Sequence, residues 1–292
     1  MNLEDCRRFY SEEIKFAANL RSPALIEAYA RVPREDFLGA PPWHVASPAQ
    51  IGLVTMGLAT GSPYVEVNEP RDLYHDLLVA IDAGRQLNNG QPSALAAWIS
   101  ALDLKAGDRV FHLGCGVGYY TAILAEVVGS SGSVVASEVD EQLAARAAAN
   151  LARYNHVVVH ARDGAAMDPG MCDAMLINAG VTHPHLPWLE HLNQGGRLVL
   201  PLTAAAGGTS GGRGAFTRIT RQPRGFSAQA ISFVGIYSST SVRDAQLEPV
   251  LAKALATGAL LKTKSVRVDP HDATDSCILH RQEVCVSSLP PE

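Results

Sequence analysis

Val110-Phe111-His112-Leu113-Gly114-Cys115-Gly116-Val117-Gly118-Tyr119-Tyr120 is the stretch that decides the fold. Val110 to Leu113 read as a short buried strand, and Gly114 to Gly118 as a turn of small residues. From Tyr119 onward, Tyr120, Ile123, Leu124 and Val127 recur at the i, i+3, i+4, i+7 spacing of one helical face. A strand, a glycine turn and a helix together form the place where an α/β sheet receives a nucleotide-like ligand. Glycine lets the backbone approach the ligand, and the helix start supplies free N–H donors. Alone, the pattern also suits any tight strand-to-helix turn.

The neighbouring strands narrow that choice. Ser133 to Ser137 form a second strand ending at Glu138, where an acid can accept both hydroxyls of a ribose. A third strand, Val157 to His160, leads to Asp163-Gly164, and an Asp there is placed to take an adenine amino group. A fourth, Ala174 to Asn178, follows Asp173. A dinucleotide site prefers G-x-G-x-x-G and would need glycine at position 119. This chain has Tyr119 there and spaces its glycines as G-x-G-x-G. With Glu138 and Asp163 downstream, the pattern resembles the class I S-adenosylmethionine (SAM) dependent methyltransferases.

The 292 residues exceed what one small domain needs, so an α/β domain with additions is expected. At 47% hydrophobic and 18% charged residues, the chain can bury a sizeable core. A net charge of −5 gives no sign of nucleic-acid or membrane-surface binding. No stretch is apolar enough over enough length to span a bilayer, and the N-terminus leads into a mixed polar helix rather than a signal peptide. A cytoplasmic protein is expected. Cys6, Cys115, Cys172, Cys277 and Cys285 are odd in number and lack C-x-x-C spacing, so they read as reduced thiols rather than a disulfide or zinc framework. His183-Pro-His185 reads as a surface turn before a helix at Leu186, because no Cys or acidic ligand is spaced to join it. No metal centre is expected.

Residues Leu3 to Leu20 and Ser22 to Val32 read as two helices, the second with Ser22 as N-cap and Pro23 in its first turn. Val32-Pro-Arg-Glu-Asp-Phe-Leu38 ends the pair. Pro41 to Arg71 form an irregular or short-stranded insert. Tyr74 to Asp82 precede Gly84 to Pro92, and a helix begins at Pro92. Residues 84–202 carry the cofactor-binding core. Thr203 to Gly214 read as a mobile small-residue loop. Phe216 to Arg221 and Phe226 to Ile236 read as antiparallel strands within 215–237. The expected fold is a doubly wound, mostly parallel, seven-stranded Rossmann-like sheet. It has N-terminal helices (1–40) and a methyltransferase domain reaching residue 242. A small αβ appendage (243–292) contains a helix at Leu247 to Leu255 and strand-like Ser265 to Val268 and Ile278 to Val286.

Val32-Pro-Arg-Glu-Asp-Phe37, Gly90-Gln91-Pro92, Gly114 to Tyr119, Asp163-Gly164 and Gly195-Gly-Arg-Leu-Val-Leu-Pro201 occur in that order. Together they resemble the protein-L-isoaspartate (D-aspartate) O-methyltransferase family over roughly residues 20 to 240, apart from the insert before Arg71. The resemblance implies cofactor contacts from His112, Gly114, Cys115, Gly116, Gly118, Tyr119, Glu138, Val139, Asp163 and Gly164. It implies SAM as cofactor and a peptide or protein carboxylate as acceptor, with no general base. A carboxylate is already a nucleophile at neutral pH, so catalysis is largely positioning.

The chain departs from the family at two places. His112 stands where the family has an acid, and it either alters contacts near the methionine end of SAM or packs. The family's Thr-Ile-Ser loop is replaced by Leu87-Asn88-Asn89-Gly90. Asn88 and Asn89 each offer an amide donor to a carboxylate oxygen in place of the missing Ser hydroxyl, and are the candidate catalytic residues. An Asn-Asn-Gly run is also an ordinary turn. The competing readings are methyl transfer to a different carboxylate, a non-catalytic module that retains the fold, and a nicotinamide dehydrogenase. The last is disfavoured by Tyr119.

Overall fold

A computed structural model describes residues 2–55, 58–205 and 211–291. Helices α1 (Leu3–Ala17) and α2 (Pro23–Arg31) open the chain, capped by the side chains of Asn2 and Ser22. The insert then supplies β1 (Trp43–Ala46), α3 (Pro48–Thr55) and β2 (Val65–Val67), followed by β3 (Leu78–Asp82) and β4 (Leu87–Asn88). These four strands form a separate antiparallel sheet in the order β2-β1-β3-β4. Trp43, Val45, Leu73 and Val79 close a small core under it.

Helix α4 (Pro92–Ala101) leads into the central alternation: β5 (Arg109–Leu113), α5 (Tyr119–Val128), β6 (Ser133–Glu138), α6 (Glu141–Asn150), β7 (Val157–Ala161), β8 (Cys172–Ile177), α7 (Leu186–Glu190) and β9 (Leu192–Ala205). The long strands β10 (Gly211–Arg221) and β11 (Phe226–Tyr237) follow, then α8 (Leu247–Ala256), β12 (Ser265–Arg267), β13 (Cys277–His280) and β14 (Cys285–Ser287). The main sheet runs β13-β14-β12-β11-β10-β9-β8-β5-β6-β7. Pairings from β7 through β9 are parallel, and those from β9 to β13 are antiparallel. From β5 the chain steps through β6 to β7 on one side and returns to β8 on the other. The C-terminal ends of β5 and β8 therefore flank the topological switch point, where open α/β sheets place their ligands.

Alternation along the strands divides the core in two. Val110, Ala174 and Leu176 face the layer of α1, α2, α4, α5 and α6. Phe111, Leu113, Met175 and Ile177 face the layer that includes Trp188 of α7 and Leu251 of α8. Period-two patterning of buried strands requires this split. Trp98 of α4 stacks on Phe216 of β10 at 3.8 Å between ring centroids, locking the helical layer onto the antiparallel half.

The seven strands β5 to β11 form the expected sheet, and the C-terminal appendage adds β12, β14 and β13 to its β11 edge, making ten. Leu251, Ala254, Val266, Leu279 and Val286 of that segment share the second core. Two expectations are corrected. Ile278 to Val286 is a hairpin of two strands, not one. Of the small-residue stretch expected as a loop, residues 203–205 and 211–214 are strand, Gly212 to Gly214 pairing with Thr203 to Ala205 across the β9–β10 ladder. The remainder of the loop expectation, residues 206–210, lies outside the described residues.

Candidate active site

The glycine turn after β5 is tied to both neighbouring strands. Gly114 and Cys115 N–H donate to the Ser137 carbonyl of β6 at 2.9 and 3.1 Å, and Asn178 N–H, just past β8, donates to Leu113 O at 2.8 Å. Gly118 caps α5 at φ +92°, where a Cβ would also lie 2.8 Å from Leu151 Cδ1. A side chain there is opposed both by the left-handed backbone and by α6 packing.

Glu138 ends β6 directly beneath this turn. Its Oε2 accepts from Gly116 N–H at 2.8 Å and its Oε1 from Asp140 N–H at 3.1 Å. The residue is 8% exposed. Each oxygen keeps acceptor capacity beyond these bonds, so the group is oriented and still able to receive hydroxyls. Asp140 caps α6 through Gln142 and Leu143 N–H and pairs with Arg85 at 2.6 Å. Arg85 lies in the β3–β4 connection, and the Tyr237 hydroxyl donates to the carbonyl of Gln86 at 2.7 Å. The β3–β4 hairpin thus bridges from the start of α6 to the end of β11, across the carboxyl ends of the parallel strands.

The other expected cofactor residues divide by exposure. Val139 is half exposed, beside Glu138. Asp163 caps the short turn Gly164–Ala166 by accepting from Ala165 N–H at 2.9 Å. Gly164 is buried, and a Cβ there would overlap Ser137 Oγ, so its lack of a side chain serves packing against the β5 and β6 tips. Cys115 is buried within the turn. Tyr119 points away from the turn into the helical layer, edge-on to Phe37 and Tyr29. His112 has no exposed surface; its Nδ1 lies 2.9 Å from Thr121 Oγ1 of α5, and burial lowers its pKa to about 3. The ring is a neutral group buried between β5 and α5.

The stretch Leu87 to Pro92 departs most from expectation. Asn89 is buried, and its Oδ1 accepts from Val79 N–H at 3.1 Å and from the Arg34 guanidinium at 3.2 Å. It is a brace, not an open donor. Arg34 is fully buried and also donates to the carbonyls of Leu73, His75 and Leu77 at 2.6, 3.2 and 2.7 Å. Asp76 receives Gln91 Nε2, Ser93 N–H and the Ser93 hydroxyl at 2.6–2.8 Å. Tyr120 donates to Gly90 O at 3.3 Å, fastening the loop to α5. Asn88 differs: its Oδ1 accepts from Gly90 N–H at 2.9 Å in an Asx turn, and the residue is partly exposed. Of the two candidate catalytic residues, Asn88 alone retains access.

Arg34 and Asp76 escaped the sequence reading. Arg34 lay inside a quoted signature, and a basic residue between two helices and a Pro-rich insert was its only signal. Arg197 of the Gly-Gly-Arg signature does a similar structural job at the opposite end of the sheet, bonding Leu102 O, Asp173 O and Asp108. The absence of C-x-x-C spacing hides one grouping of cysteines. All five are free thiols, but Cys277 and Cys285 stand close together beside His271 and His280. Counting cysteine spacing alone cannot see a cluster that histidines complete across a hairpin. His185 does stand immediately before α7, as its N-cap residue.

The model of the family described as protein-L-isoaspartate(D-aspartate) O-methyltransferase matches residues 62–210. Protein-L-isoaspartate O-methyltransferase 2 of Pelobacter propionicus is 32% identical over 210 residues, covering 70% of this chain and 79% of that protein. Protein-L-isoaspartate O-methyltransferase 1 of Rhodopseudomonas palustris is 34% identical over 204 residues, covering 68% and 69%. A solved protein-L-isoaspartate O-methyltransferase superposes with a TM-score of 0.61 at 20% identity, covering 85% of this chain and 68% of that one. A Plasmodium falciparum structure described as a putative member, in complex with S-adenosyl-L-homocysteine, gives 0.58 at 15% identity over 80% and 98%. The two structures share the fold, and the sequence matches extend over both the glycine turn and the Glu138 strand end. This chain belongs to the protein-L-isoaspartate(D-aspartate) O-methyltransferase family.

Proposed function

We propose that the chain transfers a methyl group from SAM to the free carboxylate of an isoaspartyl residue in a peptide or protein. The observation that carries this reading is the pairing of the glycine turn with Glu138. A carboxylate is fixed through both oxygens under a backbone that leaves no side chain in the way, which suits a ribose whose two hydroxyls donate. When bound, SAM would supply an electrophilic methyl: an O–C bond to the acceptor would form as the C–S bond breaks, its pair leaving on the sulfur of S-adenosylhomocysteine. The protein's part is placement. Glu138 sets the ribose, Val139 and the Asp163–Gly164 turn border the adenine side, and the braced loop from Leu87 to Pro92 walls the acceptor side. Asn88 is positioned there to donate an amide N–H to a carboxylate oxygen. An ionised carboxylate gives up no proton in the reaction, consistent with a wall built for rigidity and not for acid–base exchange.

The test is transfer of a labelled methyl group from SAM to an isoaspartyl peptide and to its normal aspartyl twin. The expected result is labelling of the isoaspartyl peptide alone, with the label released as methanol in mild alkali. Label that resists alkali would overturn carboxylate methylation. Equal labelling of the twins, or of neither while SAM binds, would overturn the isoaspartyl assignment.

A further inference from the structure

The edge of the sheet farthest from β5–β7 carries a cluster of two histidines and two cysteines. The hairpin β13–β14 sets His280 directly opposite Cys285, and Cys277 begins the same strand as His280. The segment before the hairpin folds back over it through a turn in which Cys277 N–H donates to Thr274 O at 2.9 Å. That return brings His271 onto the hairpin, with its Nε2 3.7 Å from Cys277 Sγ. One ligand atom from each of His271, Cys277, His280 and Cys285 lies within 4.8 Å of all the others.

We propose that these four side chains form a tetrahedral zinc site that closes the C-terminal hairpin. Zn–S bonds near 2.3 Å and Zn–N bonds near 2.0–2.1 Å in a tetrahedron set ligand atoms about 3.3–3.8 Å apart. The observed spread needs only small side-chain adjustment to reach this. Two thiolates and two imidazoles are a closed zinc donor set, and the space between them suits a single ion.

Three features around the cluster fit this role. The Nδ1 of His271 meets the Asp269 carbonyl at 2.7 Å and lies 3.5 Å from the Asp269 carboxylate. That fixes the ring with Nε2 turned toward the thiols, the arrangement by which outer partners orient metal-binding histidines. Thr274 N–H points at Cys277 Sγ at 3.3 Å, a donor suited to a thiolate. The ring of His280 meets that of His271 edge-on at 4.9 Å, and its Nδ1 is buried with no hydrogen-bond partner among the described residues. A disulfide between Cys277 and Cys285 would account for two thiols but not for two imidazoles gathered at the same point. The pattern is legible as H-x5-C-x2-H-x4-C once histidines are counted with cysteines. Loading the site displaces one proton from each thiol, and the ion then ties the loop from position 271 to the hairpin at the sheet edge.

The experiment is elemental analysis of the full chain purified from zinc-supplemented medium without chelator, paired with Co(II) titration of the metal-stripped protein. One zinc per chain is expected, with a tetrahedral Co(II) d–d spectrum and a thiolate charge-transfer band. Cys285→Ser and His280→Ala should each lower retained zinc about tenfold or more. SAM calorimetry on the same variants should still show binding, because the centre sits far across the sheet from Glu138. Should the variants fail to fold, the Co(II) spectrum of the unsubstituted chain decides. Zinc-free protein with no tetrahedral Co(II) spectrum would overturn the proposal. So would a Cys277–Cys285 disulfide in protein purified with zinc under reducing conditions.

Discussion

Replacing Asn89 by Ala separates a brace from a catalytic donor. The Asn89 Oδ1 serves two buried donors, the backbone N–H of Val79 at 3.1 Å and the Arg34 guanidinium at 3.2 Å. Alanine leaves the Val79 N–H unpaired, at about 1–3 kcal/mol, and removes a bond from a charged donor worth roughly 1.5–3 kcal/mol. Arg34 keeps its three carbonyl partners, which limits the second loss. A net destabilisation of roughly 2–4 kcal/mol follows, or an apparent Tm on the order of 5–10 °C lower. Asn89→Asp keeps the oxygen and exchanges an amide nitrogen that has no partner for a second oxygen near Arg34. It should melt close to the unsubstituted chain. The assay is thermal denaturation of both variants without ligand, beside turnover at saturating SAM. If Asn89→Ala melts like the unsubstituted protein yet turns over slowly, Asn89 acts on the acceptor and the bracing argument is wrong.

Glu138→Ala should weaken SAM about tenfold or more, since a hydrogen bond to a charged group contributes roughly 1.5–3 kcal/mol. It should also lower ligand-free stability, because Gly116 and Asp140 N–H lose their acceptor; equal SAM affinity by calorimetry would remove the ribose assignment. His112, with its pKa lowered to about 3 by burial, stays neutral in the folded chain while the unfolded chain takes up a proton below its ordinary value of 6.5. Stability is therefore lost as pH falls through 6.5, by up to about 1.4 kcal/mol per pH unit from this one group. His112→Gln should flatten the pH dependence of denaturant midpoints between pH 6.5 and 4, and an unchanged slope would contradict the buried neutral ring.

The local pattern determined the parallel half of the molecule. In β5, β6 and β8, a run of apolar or small residues ends in Gly, Glu or Asn, and each run is short enough that hydrophobic alternation and glycine punctuation leave few alternatives. Glu138 was legible for the same reason: the acid at a strand end is placed by the strand itself. The tertiary structure decided what depends on residues far apart in the chain. Asn89 reads as an exposed turn residue until Arg34, 55 positions away, takes its oxygen. His112 reads as a site residue until α5 closes over it with Thr121. The C-terminal strands show only ordinary β patterning, and their joining of the β11 edge rests on the Ser227–Ser265 and Val266–Val286 pairings. The gathering of His271 with Cys277, His280 and Cys285 likewise needs a fold-back and a hairpin register at once. Periodicity specifies which face of an element is buried. It carries no information about which distant donor will meet a given acceptor, because that choice is made by packing between elements.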